Sequence, residues 1–201
     1  EILKEHKLFS QYRSMPQAWD LVAKGLGNSG YSNKKVIGFI DDGLKKFPKD
    51  SALTKQKNEL LIMGYLTGAH NLERDSDLGA ALKSYEKALK IDPKNIYVNQ
   101  NIGFNYLKKG QNKQAITFLS DALKYPGLKD GKTEFFLGIA YLKENDRINA
   151  LKYFNISKNK NYPLAKQLIS NINSSKLDYE KASTKQKNDV LIADYITEGQ
   201  K

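Results

Sequence analysis

Apolar residues recur along this chain at intervals of three and four, the period of an amphipathic helix. Sustained one-in, one-out alternation bounded by hairpin turns, the mark of a half-buried strand, is nearly absent. The pattern is clearest from Asn95 to Tyr125. Val98, Ile102 and Tyr106 fall four residues apart and make one apolar stripe. Gly103 lies beside that stripe, and its missing side chain lets a second helix approach closely. On that second helix the small Ala115 supplies a matching notch. Ala122, two turns further on, shares its face, while Ile116, Leu119 and Leu123 fill the space between. Gly110 permits the tight turn between the two helices, because glycine reaches the left-handed conformation without steric cost.

The same plan recurs downstream. Gly103-Phe-Asn-Tyr106 returns as Gly138-Ile-Ala-Tyr141 after 35 residues, and Ala81, Ala115 and Ala150 follow one another at 34 and 35. In the copy from Gly131 to Pro163, Leu137, Gly138 and Tyr141 are followed by Ala150, Tyr153 and Phe154. Asn145, which tolerates the left-handed conformation, takes the turn. An earlier copy shows in its second helix, through Ala81, Tyr85, Ala88 and a closing Pro93. Taking Gly64 as its counterpart of Gly103 places about five extra residues in the turn through His70 and Arg74, which predicts a longer loop there. A more degenerate copy precedes it, with Trp19 and Val22 on its first helix, Val36, Ile40 and Gly43 on its second, and Pro48 at its end. Ser14-Met-Pro-Gln17 has the spacing of a capping box at the first helix start. The approximate repeats are 14–50, 51–94, 95–129 and 130–163, followed by capping helices over 164–197, in one domain spanning 1–201.

That period, with a Gly-x-x-Tyr helix followed by an Ala-centred helix, resembles the tetratricopeptide repeat. The resemblance implies an all-α fold, a right-handed α-solenoid of antiparallel helix pairs. It also implies a non-catalytic protein–protein interaction module or scaffold that holds a partner segment in its concave groove. In that family the first helix of each repeat lines the concave wall. The contact candidates are therefore Tyr97, Gln100, Asn101, Phe104 and Lys108 in one copy, and Lys132, Phe135, Ile139 and Lys143 in the next. Rings and ammonium groups on one face suit an acidic or amphipathic peptide. Some relatives grip a chaperone C-terminus with a clamp of Lys and Asn residues on three successive first helices. Asn101 and Lys132 stand at matching places, but Leu61, Tyr65 and Phe136 occupy the other three, which argues against that specific activity.

Charge adds an alternative. The net charge is +11, which suits a basic adaptor that binds nucleic acid or anionic lipid through its whole field. The distribution speaks for solvated helix faces instead. Lys34-Lys35, Lys45-Lys46, Lys108-Lys109 and Lys158 to Lys160 sit at helix ends and turns, where they complement the helix dipole. The aromatics fall at repeat-core spacing, not in base-stacking clusters. Self-assembly into a homo-oligomer is a further option for such an array.

Nothing in the chain points to an enzyme, a cofactor, a metal or a small-molecule substrate. Cysteine is absent, which removes disulfides, thiolate nucleophiles and cysteine metal sites together, and is compatible with an oxidising bacterial envelope. His6 and His70 have no partner ligand at metal spacing and read as surface residues. Asp41-Asp42 and Asp75-Ser-Asp77 read as helix-surface and N-cap positions. Gly25-Leu-Gly27-Asn-Ser-Gly30 follows a helix and lacks a Lys-Ser/Thr ending, so it reads as an interhelical loop and not a phosphate cradle. No stretch approaches the roughly 20 apolar residues of a membrane span. After Pro163, Leu164 to Ile172 reads as another first helix and Asp178 to Ile196 as a long polar one. The latter contains Thr184-Lys-Gln-Lys-Asn-Asp-Val-Leu-Ile192, nearly a copy of Thr54-Lys-Gln-Lys-Asn-Glu-Leu-Leu-Ile62. The duplication suits a shared recognition helix, and the polar outer face suits, more simply, a cap on the end of the array.

Overall fold

The computed structural model describes residues 12–174, and those residues are all-α. The helices are α1 Pro16–Asn28, α2 Asn33–Lys46, α3 Ser51–Arg74, α4 Leu78–Ile91, α5 Ile96–Lys108, α6 Asn112–Leu123, α7 Lys132–Lys143, α8 Arg147–Asn159 and α9 Pro163–Ser174. The helix expected over Leu164 to Ile172 is α9. The segment from Asp178 to Ile196, its Thr184–Ile192 copy and His6 lie outside the described residues.

The chain divides into two compact units between Asn71 and Leu72. In the first, Trp19, Ala23 and Leu26 of α1 pack with Val36, Phe39 and Ile40 of α2 and with Leu53 of α3. Gly43 sits where α1 and α2 meet, and a Cβ there would lie 2.8 Å from the Trp19 ring. The capping box is not formed. Helix α1 starts one residue later than its spacing suggests, with Met15 as N-cap, no side-chain cap bond, and Pro16 at the first helical position. Proline fixes the start here, since its absent N–H removes one donor that would otherwise need a cap.

In the second unit the α5/α6 and α7/α8 pairs repeat one another. Gly103 abuts Leu119 and Gly138 abuts Phe154, while Ala115, Ala122 and Ala150 have no exposed surface. Tyr106 stacks on Phe118 at 5.4 Å between ring centroids, and 35 residues later Tyr141 stacks on Tyr153 at 5.5 Å. The turns within pairs repeat as well. Ser76, Gly110 and Asn145 have φ of 63°, 72° and 62°, the left-handed region that lets the chain reverse. Asp77, Asn95 and Asp146 cap α4, α5 and α8 by accepting the N–H groups of Ala80, Val98 and Asn149.

One expectation fails for a reason of register. No long loop runs through His70 and Arg74, because both lie on α3, a helix of 24 residues. The counterpart of Gly103 is Ala69, not Gly64. It precedes Ala81 by the same 12 residues that separate Gly103 from Ala115 and Gly138 from Ala150, and it is fully buried. With that register the spacing needs no insertion.

The connection that does depart from the pattern runs over 124–131, between α6 and α7. Its end is fastened to α8. Ser157 Oγ donates to the Gly131 carbonyl at 2.8 Å, and Lys160 Nζ donates to the Leu128 carbonyl at 3.0 Å and pairs with Glu134 at 2.5 Å. Gly131 has φ of 75° and leaves no room for a Cβ, which would meet the Ser157 carbonyl at 2.9 Å.

Candidate functional site

The candidate contact residues sit on α5 and α7, first helices of successive pairs, and the structure divides them into three groups. Gln100, Phe104 and Lys132 come together at a seam between the two helices. Gln100 Nε2 donates to Thr133 Oγ1 at 2.5 Å, the Phe104 ring lies 4.7 Å from that of Phe136, and the Lys132 ammonium stands 5.6 Å from the centroid of Phe104. Helix geometry explains the convergence. Gln100 and Phe104 are four residues apart, as are Lys132 and Phe136, so each pair shares one side of its helix.

Tyr97, Asn101 and Lys143 form the second group, on the same helices and with surface to offer. Tyr97 is 53% exposed. Asn101 and Lys143 are half-buried.

The third group turns inward or is already paired. Phe135 and Ile139 have no exposed surface. The Phe135 ring packs on Phe154 at 5.6 Å and on Tyr162 at 5.0 Å, so it joins α7 to α8 and to the start of α9 instead of facing a partner. Phe104, of the first group, likewise retains only 9% exposure and is largely a core ring. Lys108 is engaged by Glu73, its Nζ 3.7 Å from Oε2.

Glu73 is a node that the sequence reading missed. Its Oε1 accepts from Tyr85 Oη at 2.9 Å and from Asn105 Nδ2 at 3.2 Å, tying α3, α4 and α5 together. Burial, with the Glu73 carboxylate beside it, pushes the Tyr85 phenol well above its ordinary pKa. The corrected register gives the signal that could have found it, since Glu73 stands four residues beyond Ala69, as Leu107 stands beyond Gly103. That register also moves the clamp comparison. Leu66 and His70 replace Leu61 and Tyr65 at the first two clamp places, and neither supplies the Lys or Asn a clamp requires.

The other chemical candidates have structural places. Asp41 pairs with Lys57 at 2.6 Å, and Asp77 caps α4. Gly25 and Gly27 are helical residues of α1, so only Ser29 and Gly30 form the turn that follows. Among the described residues no group of three acidic or histidine side chains is placed to hold a metal, and no helix is long and apolar enough to cross a membrane.

These features define a class, an all-α protein of stacked helix pairs. Residues 72–126 match the family model described as tetratricopeptide repeat. Similar solved structures include the N-terminal domain of stress-induced protein-1 from C. elegans, at 19% identity with a TM-score of 0.51, over 56% of this chain and 94% of that one. PilF of Pseudomonas aeruginosa is similar at 18% identity and a TM-score of 0.52, over 94% of this chain and 78% of that one. YrrB, described as a TPR protein with an unusual peptide-binding site, is similar at 10% identity and a TM-score of 0.50, over 82% of this chain and 98% of that one. No curated protein matches the sequence. The fold is that of an α-solenoid, and the likeness to the tetratricopeptide repeat family extends over residues 72–126.

Proposed function

We propose that this chain is a non-catalytic scaffold that binds a segment of a partner protein along the α5–α7 seam. The observation that carries the reading is the direct bridging of two successive first helices by Gln100 with Thr133 and Phe104 with Phe136. A rigid junction results, and the more exposed Tyr97, Asn101 and Lys132 flank it. A pre-formed junction lowers the ordering cost of binding, and an exposed aromatic ring is an efficient anchor because it buries much area for few rotatable bonds. YrrB, a TPR protein described as having an unusual peptide-binding site, supports the use of such a fold for peptides.

The test is affinity capture with crosslinking from the native source, repeated with Tyr97→Ala and with Asn101→Arg. Both residues are away from the core, so both variants keep the helical circular dichroism of the parent. Loss of the captured partner in both supports the seam. Unchanged capture places the contact elsewhere. Capture that collapses between low and high salt, whatever the variant, marks binding through the overall positive charge instead.

A further inference from the structure

We infer that one edge of the second unit rests on an anionic lipid bilayer, with Lys90, Lys94, Lys129 and Lys158 at the headgroup phosphates and Tyr125 at the level of the interface. This edge is separate from the α5–α7 seam, and the inference does not depend on the partner proposed there.

In a stack of antiparallel pairs the turns within pairs fall on one edge and the connections between pairs on the other. Contacts join the second set. Lys94, between α4 and α5, holds its ammonium 5.9 Å from the centroid of the Tyr125 ring, which lies between α6 and α7. Gly127 of that same connection abuts Ile96 at the start of α5, and Leu128 accepts a hydrogen bond from Lys160, just past α8. Three connections thus form one continuous edge. Across the opposite edge, Asn112 at the start of α6 donates to Glu144 at the end of α7.

The two edges differ in charge. Around the connections between pairs, residues 90–95, 121–134 and 158–166 carry eight lysines against four acids, with no arginine. Around the turns within pairs, residues 73–78, 108–113 and 143–147 carry six bases against five acids, close to balance. Lys90, Lys94, Lys129 and Lys158 are exposed, and none has an ion-pair partner among the described residues. Two of the four acids are neutralised locally, Asp121 by Lys124 and Glu134 by Lys160. A surplus of positive charge therefore faces solvent along one edge, not over the whole molecule.

The connection 124–131 supplies the second argument for lipid. Its Tyr125, Pro126 and Gly127 are exposed at the centre of the basic edge, and tyrosine favours the headgroup level, where its ring is partly withdrawn from water and its hydroxyl stays wet. A single-stranded nucleic acid would instead stack bases on open ring faces. Lys94 already stands over the Tyr125 ring.

The test is flotation of the full chain with vesicles of phosphatidylcholine alone, or of phosphatidylcholine mixed with phosphatidylglycerol. The protein floats with the anionic vesicles and stays behind with the neutral ones. A lysine at a membrane surface is worth about fivefold in partition, so Lys129→Ala and Lys158→Ala each lower binding about fivefold. Tyr125→Ser lowers it as well. Lys109→Ala and Lys113→Ala, on the opposite edge, change it by less than about twofold, because salt screens charges held away from the surface. No flotation with anionic vesicles, equal binding to neutral ones, or equal losses from the two edges overturns the inference. A single-stranded oligonucleotide that binds more tightly than the vesicles, and loses that binding with Lys129→Ala, overturns it in favour of nucleic acid. Capture of a partner by the seam is read separately through Tyr97→Ala and Asn101→Arg, so failure on vesicles leaves the seam standing.

Discussion

A Cβ on Gly103 would lie 2.6 Å from Leu119 Cγ and 3.2 Å from the Leu119 backbone nitrogen. The approach recurs one repeat later, where a Cβ on Gly138 would meet the Phe154 ring at 2.5 Å. These contacts are the physical content of the 35-residue period: glycine is needed where one helix of a pair rests on the other.

Gly103→Ala should therefore destabilise the protein by about 1–3 kcal/mol, since backbone as well as side chain must shift. Gly64→Ala should do the opposite. No atom lies within 4 Å of its Cβ position, and removing a helix-interior glycine gains about 0.5–1 kcal/mol. Urea unfolding of the two variants distinguishes the registers, because equal losses would mean that Gly64 is a packing glycine after all.

The turns offer a second pair. Ser76 adopts a left-handed conformation that glycine reaches more cheaply, so Ser76→Gly should raise stability by about 0.5–1 kcal/mol, while Gly110→Ala lowers it by about 1 kcal/mol. Calorimetric melting of the two single variants reads both signs directly. A loss on Ser76→Gly would show that the serine side chain itself holds the turn.

Phe104 and Tyr97, one family of contact candidates in the sequence, should part company in stability. Phe104→Ala removes a nearly buried ring from the Phe136 contact and should cost about 3–5 kcal/mol. Tyr97→Ala should stay within about 0.5 kcal/mol. Loss of binding in a Phe104 variant is consequently ambiguous, and Tyr97 is the better probe of the surface.

Alkaline pH tests the Glu73 node. The folded pKa of Tyr85 is raised, so the folded state holds the phenolic proton more tightly than the unfolded chain. The associated stability is complete below the unfolded value, about 10, and is lost as pH rises beyond it. Tyr85→Phe should begin less stable at neutral pH, lacking the bond to Glu73, and then lose less between pH 10 and 12 than the parent. Parallel pH profiles would contradict the buried, carboxylate-facing placement of that hydroxyl.

Much of the fold was legible in the sequence because the Gly–Ala notches repeat and the intervals between them are chemically constrained. The repeat before Asn95 was harder to place. Position 69 holds alanine where later copies hold glycine, and two glycines with open space at their Cβ positions, Gly64 and Gly68, offer false registers nearby. The candidate site was legible only as a set of helix positions. Spacing puts Phe104, Phe135 and Ile139 on one helix side with Tyr97 and Lys132, but it does not say how far the next helix pair overlaps that side. Tyr162, at the start of α9, covers Phe135, and Glu73 engages Lys108. Both depend on neighbours 27 and 35 residues away in sequence.

The central claim is that a partner protein lies along the α5–α7 seam, and site-specific photo-crosslinking tests it most directly. A photoreactive residue replaces either Tyr97 on α5 or Ile148 on α8, the latter 84% exposed, and each protein is irradiated with extract from the native source. The account predicts one discrete crosslinked partner from position 97 that disappears with Asn101→Arg, and no such product from position 148. The same product from position 148, or a product from position 97 that persists with Asn101→Arg, would contradict it.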